Sequence, residues 1–185
     1  HAADFLASFS SRGPRRDDAV LKPDVAAPGD GIYSADKGTG WRGATKSGTS
    51  MAAPHVAGVM ALLRQAHPDW SVEELKALVM NTAVPLTLPY AMTTTLDTPV
   101  HAGAGRIDPP AAVTENVVAY AADGSGRVSM SFGAPGVTSV YTATQPLAVA
   151  NKGGTAVWVN LSYASLVPLP GVEVQTASVP LHVPP

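Results

Sequence analysis

Ser50 is the residue whose surroundings best suit covalent chemistry. It lies in Gly48-Thr49-Ser50-Met51-Ala52-Ala53-Pro54-His55-Val56-Ala57-Gly58, where a glycine ends a loop and a helical pattern begins. The first N–H groups of a helix have no partner inside it and carry the positive end of its dipole. A hydroxyl held there can attack a carbonyl, and the oxyanion that forms meets backbone donors. Serine is a weak nucleophile by itself. It needs a base within hydrogen-bond reach and a carboxylate to orient that base.

The chain has five histidines. His1 is the only one upstream of Ser50. His55 is five residues along the helix, about 140° round from Ser50, so it points away and reads as a packed helix histidine. His67 sits at the helix end, where an imidazolium would suit the dipole. His101 and His182 read as loop residues. Among the carboxylates considered as orienter, Asp4, Asp24 and Asp30, Asp24 reads as structural, accepting local backbone N–H bonds in a turn. Without its other residues a Gly-Thr-Ser triplet would be an ordinary helix cap.

The elements that must position Ser50 follow from periodicity. Val56, Val59, Met60 and Leu63 recur at helical spacing, which predicts a helix over 51–66. Ala53, Ala57, Gly58 and Ala61 make its other face apolar too, so it is expected in the middle of a domain, with Pro54 in the first turn or so. Gly58 costs roughly 1 kcal/mol of helix propensity against Ala, so a close neighbour is expected to compensate. Upstream, strands are predicted at 3–10, 25–27 and 32–35. A polar, Gly-rich loop over 36–47 delivers the chain to Ser50. Trp41 in that loop reads as packing, with contact to substrate as the alternative. Downstream, Ser71 and Glu74 form a capping box for an outer helix ending near Thr82, with Val72, Leu75, Leu78 and Val79 as its stripe. Residues 84–102 read as a surface loop and 109–115 as a short helix.

The segment 48–58 resembles the nucleophile segment of the subtilisin-like serine proteases, the subtilases, at all eleven positions. Phe9-Ser10-Ser11-Arg12-Gly13-Pro14, the block 21–29 around Lys22-Pro23-Asp24-Val25, and Gly103-Ala104-Gly105-Arg106-Ile107-Asp108 resemble the same family. The resemblance implies an α/β fold: the C-terminal portion of a subtilisin-like parallel-sheet domain over 1–115. It implies Ser50 as nucleophile and backbone oxyanion donor, with the Thr49 hydroxyl as further oxyanion support. It also implies a polypeptide substrate and an extracellular or cell-envelope setting. The family order is Asp, then His, then Ser. No family His block surrounds His1, and the segment bearing the oxyanion Asn is absent. The chain therefore reads as an excised, nucleophile-bearing piece whose partner is the missing N-terminal half. By itself it is expected to be inactive, and to self-associate through its uncovered apolar helix.

Composition shifts near Asn116. Predicted strands at 117–121, 127–132, 140–144, 155–162 and 172–177, with an Asp123-Gly124 hairpin signal, suggest an all-β, sandwich-like segment over 116–185, or part of one. By position it resembles the fibronectin-like domains of large cell-envelope subtilases. A non-catalytic binding or spacer module is the alternative reading of the chain.

The 185 residues are 45% hydrophobic and 14% charged, with net charge −2. Such a balance gives no case for a nucleic-acid partner. The absence of cysteine excludes disulfides and thiol chemistry. No stretch reaches the roughly 20 apolar residues of a membrane span. No cofactor is expected, and no metal site, because no run of spaced acidic residues suits calcium.

Overall fold

The computed structural model describes residues 5–87, 97–166 and 169–185. Within them, helix α1 spans Thr49–Ala66 and helix α2 spans Val72–Asn81. Two short helices, α3 (Pro99–Ala102) and α4 (Pro109–Thr114), follow. Strands β1 (Ile32–Ala35) and β2 (Gly43–Lys46) form an antiparallel hairpin that leads into α1. Strand β3 (Val117–Ala121) pairs antiparallel with β4 (Leu147–Asn151), and β5 (Val157–Val159) with β6 (Leu181–Val183).

Three helix starts have a local cause. The capping box of α2 forms as expected: Glu74 N–H donates to Ser71 Oγ (3.1 Å) and Ser71 N–H to Glu74 Oε2 (2.8 Å). Asp108 caps α4, accepting from the Ala111 N–H at 3.2 Å. Gly48 precedes α1 with φ 150° and ψ 162°, a backbone state that a side chain would disfavour.

One hydrophobic cluster joins the elements. It contains Val59 and Leu63 of α1, Leu75, Ala77, Leu78 and Val79 of α2, Ala112 of α4, Val118 of β3 and Val128 beyond it. Leu63, Leu75, Leu78 and Val118 are fully buried. Helix α2 is thus held between α1 and β3 and is not an outer helix; of its predicted stripe, only Val72 is exposed. Polar contacts tie the same parts: Ala119 N–H donates to Asn81 Oδ1 (2.7 Å), and Lys152 Nζ meets Glu74 Oε1 at 2.6 Å.

Several expected strands do not form. Among the described residues every sheet has two strands, with neither a parallel sheet nor a sandwich. Only an isolated parallel bridge, Ala26 to Arg106, stands in the predicted 25–27 strand. Residues 7–10 make a turn, with Ser10 N–H bonded to Ala7 O; a strand needs a neighbour to satisfy its backbone, and among the described residues none pairs with this segment. The predicted loop 36–47 contains β2. In the C-terminal part β3 forms as predicted, β5 is shorter, and 127–132, 140–144 and 172–177 are not strands. β3 takes β4 as its partner, although the chain does turn after Asp123, since Ala121 N–H reaches Val128 O (2.9 Å). The predicted loop 84–102 lies partly outside the described residues, and its described end forms α3.

Candidate active site

Ser50 is the second residue of α1 and is exposed, as is Thr49 beside it. Gly48 caps the helix with no side-chain bond, and its carbonyl accepts the Met51 N–H at 3.0 Å. Among the described residues neither the hydroxyl nor the N–H of Ser50 has a protein partner. No acidic residue lies in the first turn to offset the helix dipole. A group attacked by Ser50 would therefore meet an unneutralised positive helix end and a free backbone donor.

The helix starts two residues earlier than the sequence pattern suggested. Pro54 is thus its sixth residue, in the second turn. Proline has no N–H, so the carbonyl four residues back, that of Ser50, loses its usual helical donor. Both backbone polar groups of Ser50 are consequently outside the helical ladder.

A latch behind Ser50 fixes the approach of the chain, and sequence reasoning missed it. Gly48 N–H donates to Gly29 O at 2.8 Å. Ser47 Oγ donates to Asp30 Oδ1 (2.6 Å) and accepts from the Gly31 N–H (2.9 Å). Asp and Ser in turns commonly bond nearby backbone, which was the available signal. Asp30 thereby holds the loop and is not aimed at a histidine.

No described histidine bonds Ser50. His55 is exposed, not packed, and its Nδ1 lies 2.8 Å from Met51 O, one turn back. His67 stacks on Trp70, with ring centroids 4.3 Å apart. His101 belongs to α3 and not to a loop; its Nδ1 meets Asp97 Oδ1 at 2.8 Å. His182 lies in β6, packed at 4.8 Å on Trp158. His1 and Asp4 lie outside the described residues.

Asp24 is structural, but through different partners than expected. Lys22 Nζ approaches at 2.6 Å and Lys76 Nζ at 3.1 Å, in place of backbone N–H groups. Burial pushes this carboxyl up; hydrogen bonds from Lys22 and Lys76 outweigh it, and the group titrates below its usual range.

Trp41 does not pack. It is 82% exposed, and Tyr33 on the neighbouring strand is 73% exposed.

Residues 2–134 match the Subtilase family, Peptidase S8. The chain is 51% identical over 85 residues to the minor extracellular protease Vpr of Bacillus subtilis, covering 44% of this chain and 10% of that protein. It is 44% identical over 125 residues to subtilisin-like protease SBT3.11 of Arabidopsis thaliana, covering 61% of this chain and 16% of that protein. The CspB protease of Clostridium perfringens superposes with a TM-score of 0.46 at 33% identity, covering 58% of this chain and 22% of that one. The chain thus spans under a fifth of the length of these two sequence relatives.

Proposed function

The chain belongs to the subtilase family of serine peptidases, and on that footing we propose that Ser50 is the nucleophile of a subtilisin-like endopeptidase acting on polypeptides outside the cell. The observation that carries this reading is the exposed Ser50 at the second position of α1, with its hydroxyl and N–H unpartnered among the described residues. Ser50 Oγ attacks the scissile carbonyl and its proton passes to a histidine base. The carbonyl oxygen becomes an oxyanion held by the Ser50 N–H, with Thr49 Oγ1 supporting it. The C–N bond then breaks, the amine leaves with the proton from the base, and the acyl group stays on Ser50 until water hydrolyses the ester.

The base, its orienting carboxylate and the oxyanion amide are supplied by polypeptide other than these 185 residues. The sequence favours this, since His1 alone precedes Ser50 and none of the four later histidines bonds it. The 185-residue chain alone therefore has no meaningful peptidase activity, because loss of base and orienter leaves only binding and part of the oxyanion hole. An extracellular setting is supported by the likeness to Vpr, itself named as extracellular.

A serine-directed organophosphorus probe tests the assignment. It labels Ser50 in a longer polypeptide carrying the family's Asp, His and Asn segments, leaves Ser50→Ala untouched, and labels the 185-residue chain far more slowly. Labelling of neither would favour a binding or spacer module. Turnover by the short chain that vanishes in Ser50→Ala would refute its inactivity.

A further inference from the structure

Helix α1 begins without the usual supports. Gly48 has no side chain with which to cap it, no acidic residue stands in its first turn, and Pro54 takes one hydrogen bond from the Ser50 carbonyl. A helix end this bare frays. A cap would conflict with the chemistry, however. With Gly48 as the cap position, Ser50 is the second helical residue, and its N–H is one of the two that a capping side chain accepts. A serine or aspartate at 48 would compete for the donor that the oxyanion needs.

Support reaches the helix from outside, through the latch. The β1–β2 ladder starts at the pair Ile32 and Lys46. Next to it the Gly31 N–H donates to Ser47 Oγ (2.9 Å), Ser47 Oγ donates to Asp30 Oδ1 (2.6 Å), and the Gly48 N–H donates to Gly29 O (2.8 Å). The hairpin pairing is thereby carried on to the residue that precedes α1. Gly29 also abuts the first turn: a Cβ there would come within 2.9 Å of Gly48 O and 3.2 Å of Ala52 Cβ. Ser47 is the joint between the two strands of the latch. Its hydroxyl has one proton, and Asp30 fixes where that proton points, which leaves the oxygen lone pairs for the Gly31 N–H.

We propose that Asp30 is a positioning residue for acyl transfer: through Ser47 and the Gly48 backbone it holds the uncapped start of α1, so that Ser50 Oγ and N–H keep one geometry toward the scissile carbonyl. This rests on Ser50 being the nucleophile. Asp30 acts through Ser47 and takes no proton in the reaction. Without the latch the first turn is free to shift, and a misplacement of about 1 Å can lower a rate by about 100-fold. Both latch side chains are exposed, so water replaces part of what is lost and about tenfold is expected.

The test uses the longer polypeptide that carries the family's Asp, His and Asn segments, with the organophosphorus probe and a chromogenic peptide. Asp30→Ala and Ser47→Ala each slow Ser50 labelling about tenfold and lower kcat by the same factor, with KM held within about twofold. The double variant is no slower than either single one, because both break one latch. Asp30→Asn, whose amide oxygen still accepts from Ser47, keeps most of the rate. Asp36→Ala, at the hairpin tip, leaves it intact. Amide exchange in the 185-residue chain reads the latch directly: the Gly31 and Gly48 N–H groups exchange about tenfold faster in Asp30→Ala and Ser47→Ala. An undiminished rate in Asp30→Ala, a loss carried by KM, multiplied losses in the double variant, or Asp30→Asn as slow as Asp30→Ala overturns the positioning role. So does unchanged exchange at Gly48 in both alanine variants. No labelling of the unsubstituted longer polypeptide overturns the nucleophile and any role in the reaction with it, whereas labelling indifferent to Asp30 overturns the positioning role alone.

Discussion

Asp24 keeps its charge in half-buried surroundings because two ammonium groups reach it. Its titration in the folded chain lies below the ordinary carboxylate value of 3.8. A carboxyl depressed on folding stabilises the fold above its unfolded pKa, and that contribution is lost as pH falls through the folded value. Lys76→Met removes one of the two cations. Stability at pH 7 then falls by about 0.5–1 kcal/mol, the range for partly exposed ion pairs, and the loss shrinks on acidification. Urea midpoints at pH 7 and in acid measure this; an unchanged pH 7 midpoint would remove the ion pair from the account. Ser50 is legible at the same scale, because a hydroxyl after Gly48 at a helix start is a local pattern. The Asp30–Ser47 latch was harder to read, since its partners lie 17 residues apart.

Helix α1 shows how far periodicity carries. Val56, Val59, Met60 and Leu63 face the core as their spacing predicts. The second face does not follow the prediction that the helix lies deep in a domain. Ala53, Ala57, Gly58 and Ala61 are exposed, and Leu62 is 53% exposed. Among the described residues a Cβ at Gly58 would meet nothing within 4 Å, so no close neighbour among them compensates for its low propensity. Gly58→Ala should accordingly stabilise the 185-residue chain by about 0.5–1 kcal/mol in thermal or urea unfolding. The same substitution in a longer subtilase chain is a useful contrast: a loss of stability there would mean that added polypeptide covers this face. We further expect the uncovered face to draw copies together. Leu62→Lys should shift the chain toward monomer in sedimentation, and an identical distribution for both forms would place the association elsewhere.

At the scale of the whole molecule, the hydrophobic cluster crosses residue 115. Val118 and Val128 pack with Leu63, Leu75 and Leu78, and Lys152 pairs with Glu74. Burying one such valine fully is worth roughly 1.5–3 kcal/mol. A chain ended after Glu115 should therefore unfold at clearly lower denaturant, with loss of the cooperative transition in circular dichroism. Retention of the wild-type midpoint by residues 1–115 would mark them as a self-sufficient unit. By itself the sequence determined the core-facing stripe of α1, the α2 capping box, the start of α1 to within two residues and the family, because these depend on spacing within a few residues. Only the tertiary structure decided which strands found partners, that α2 lies between α1 and β3, and that Trp41 stands in solvent. Strand pairing and burial depend on neighbours far along the chain, and a short apolar run carries no record of which neighbour will reach it.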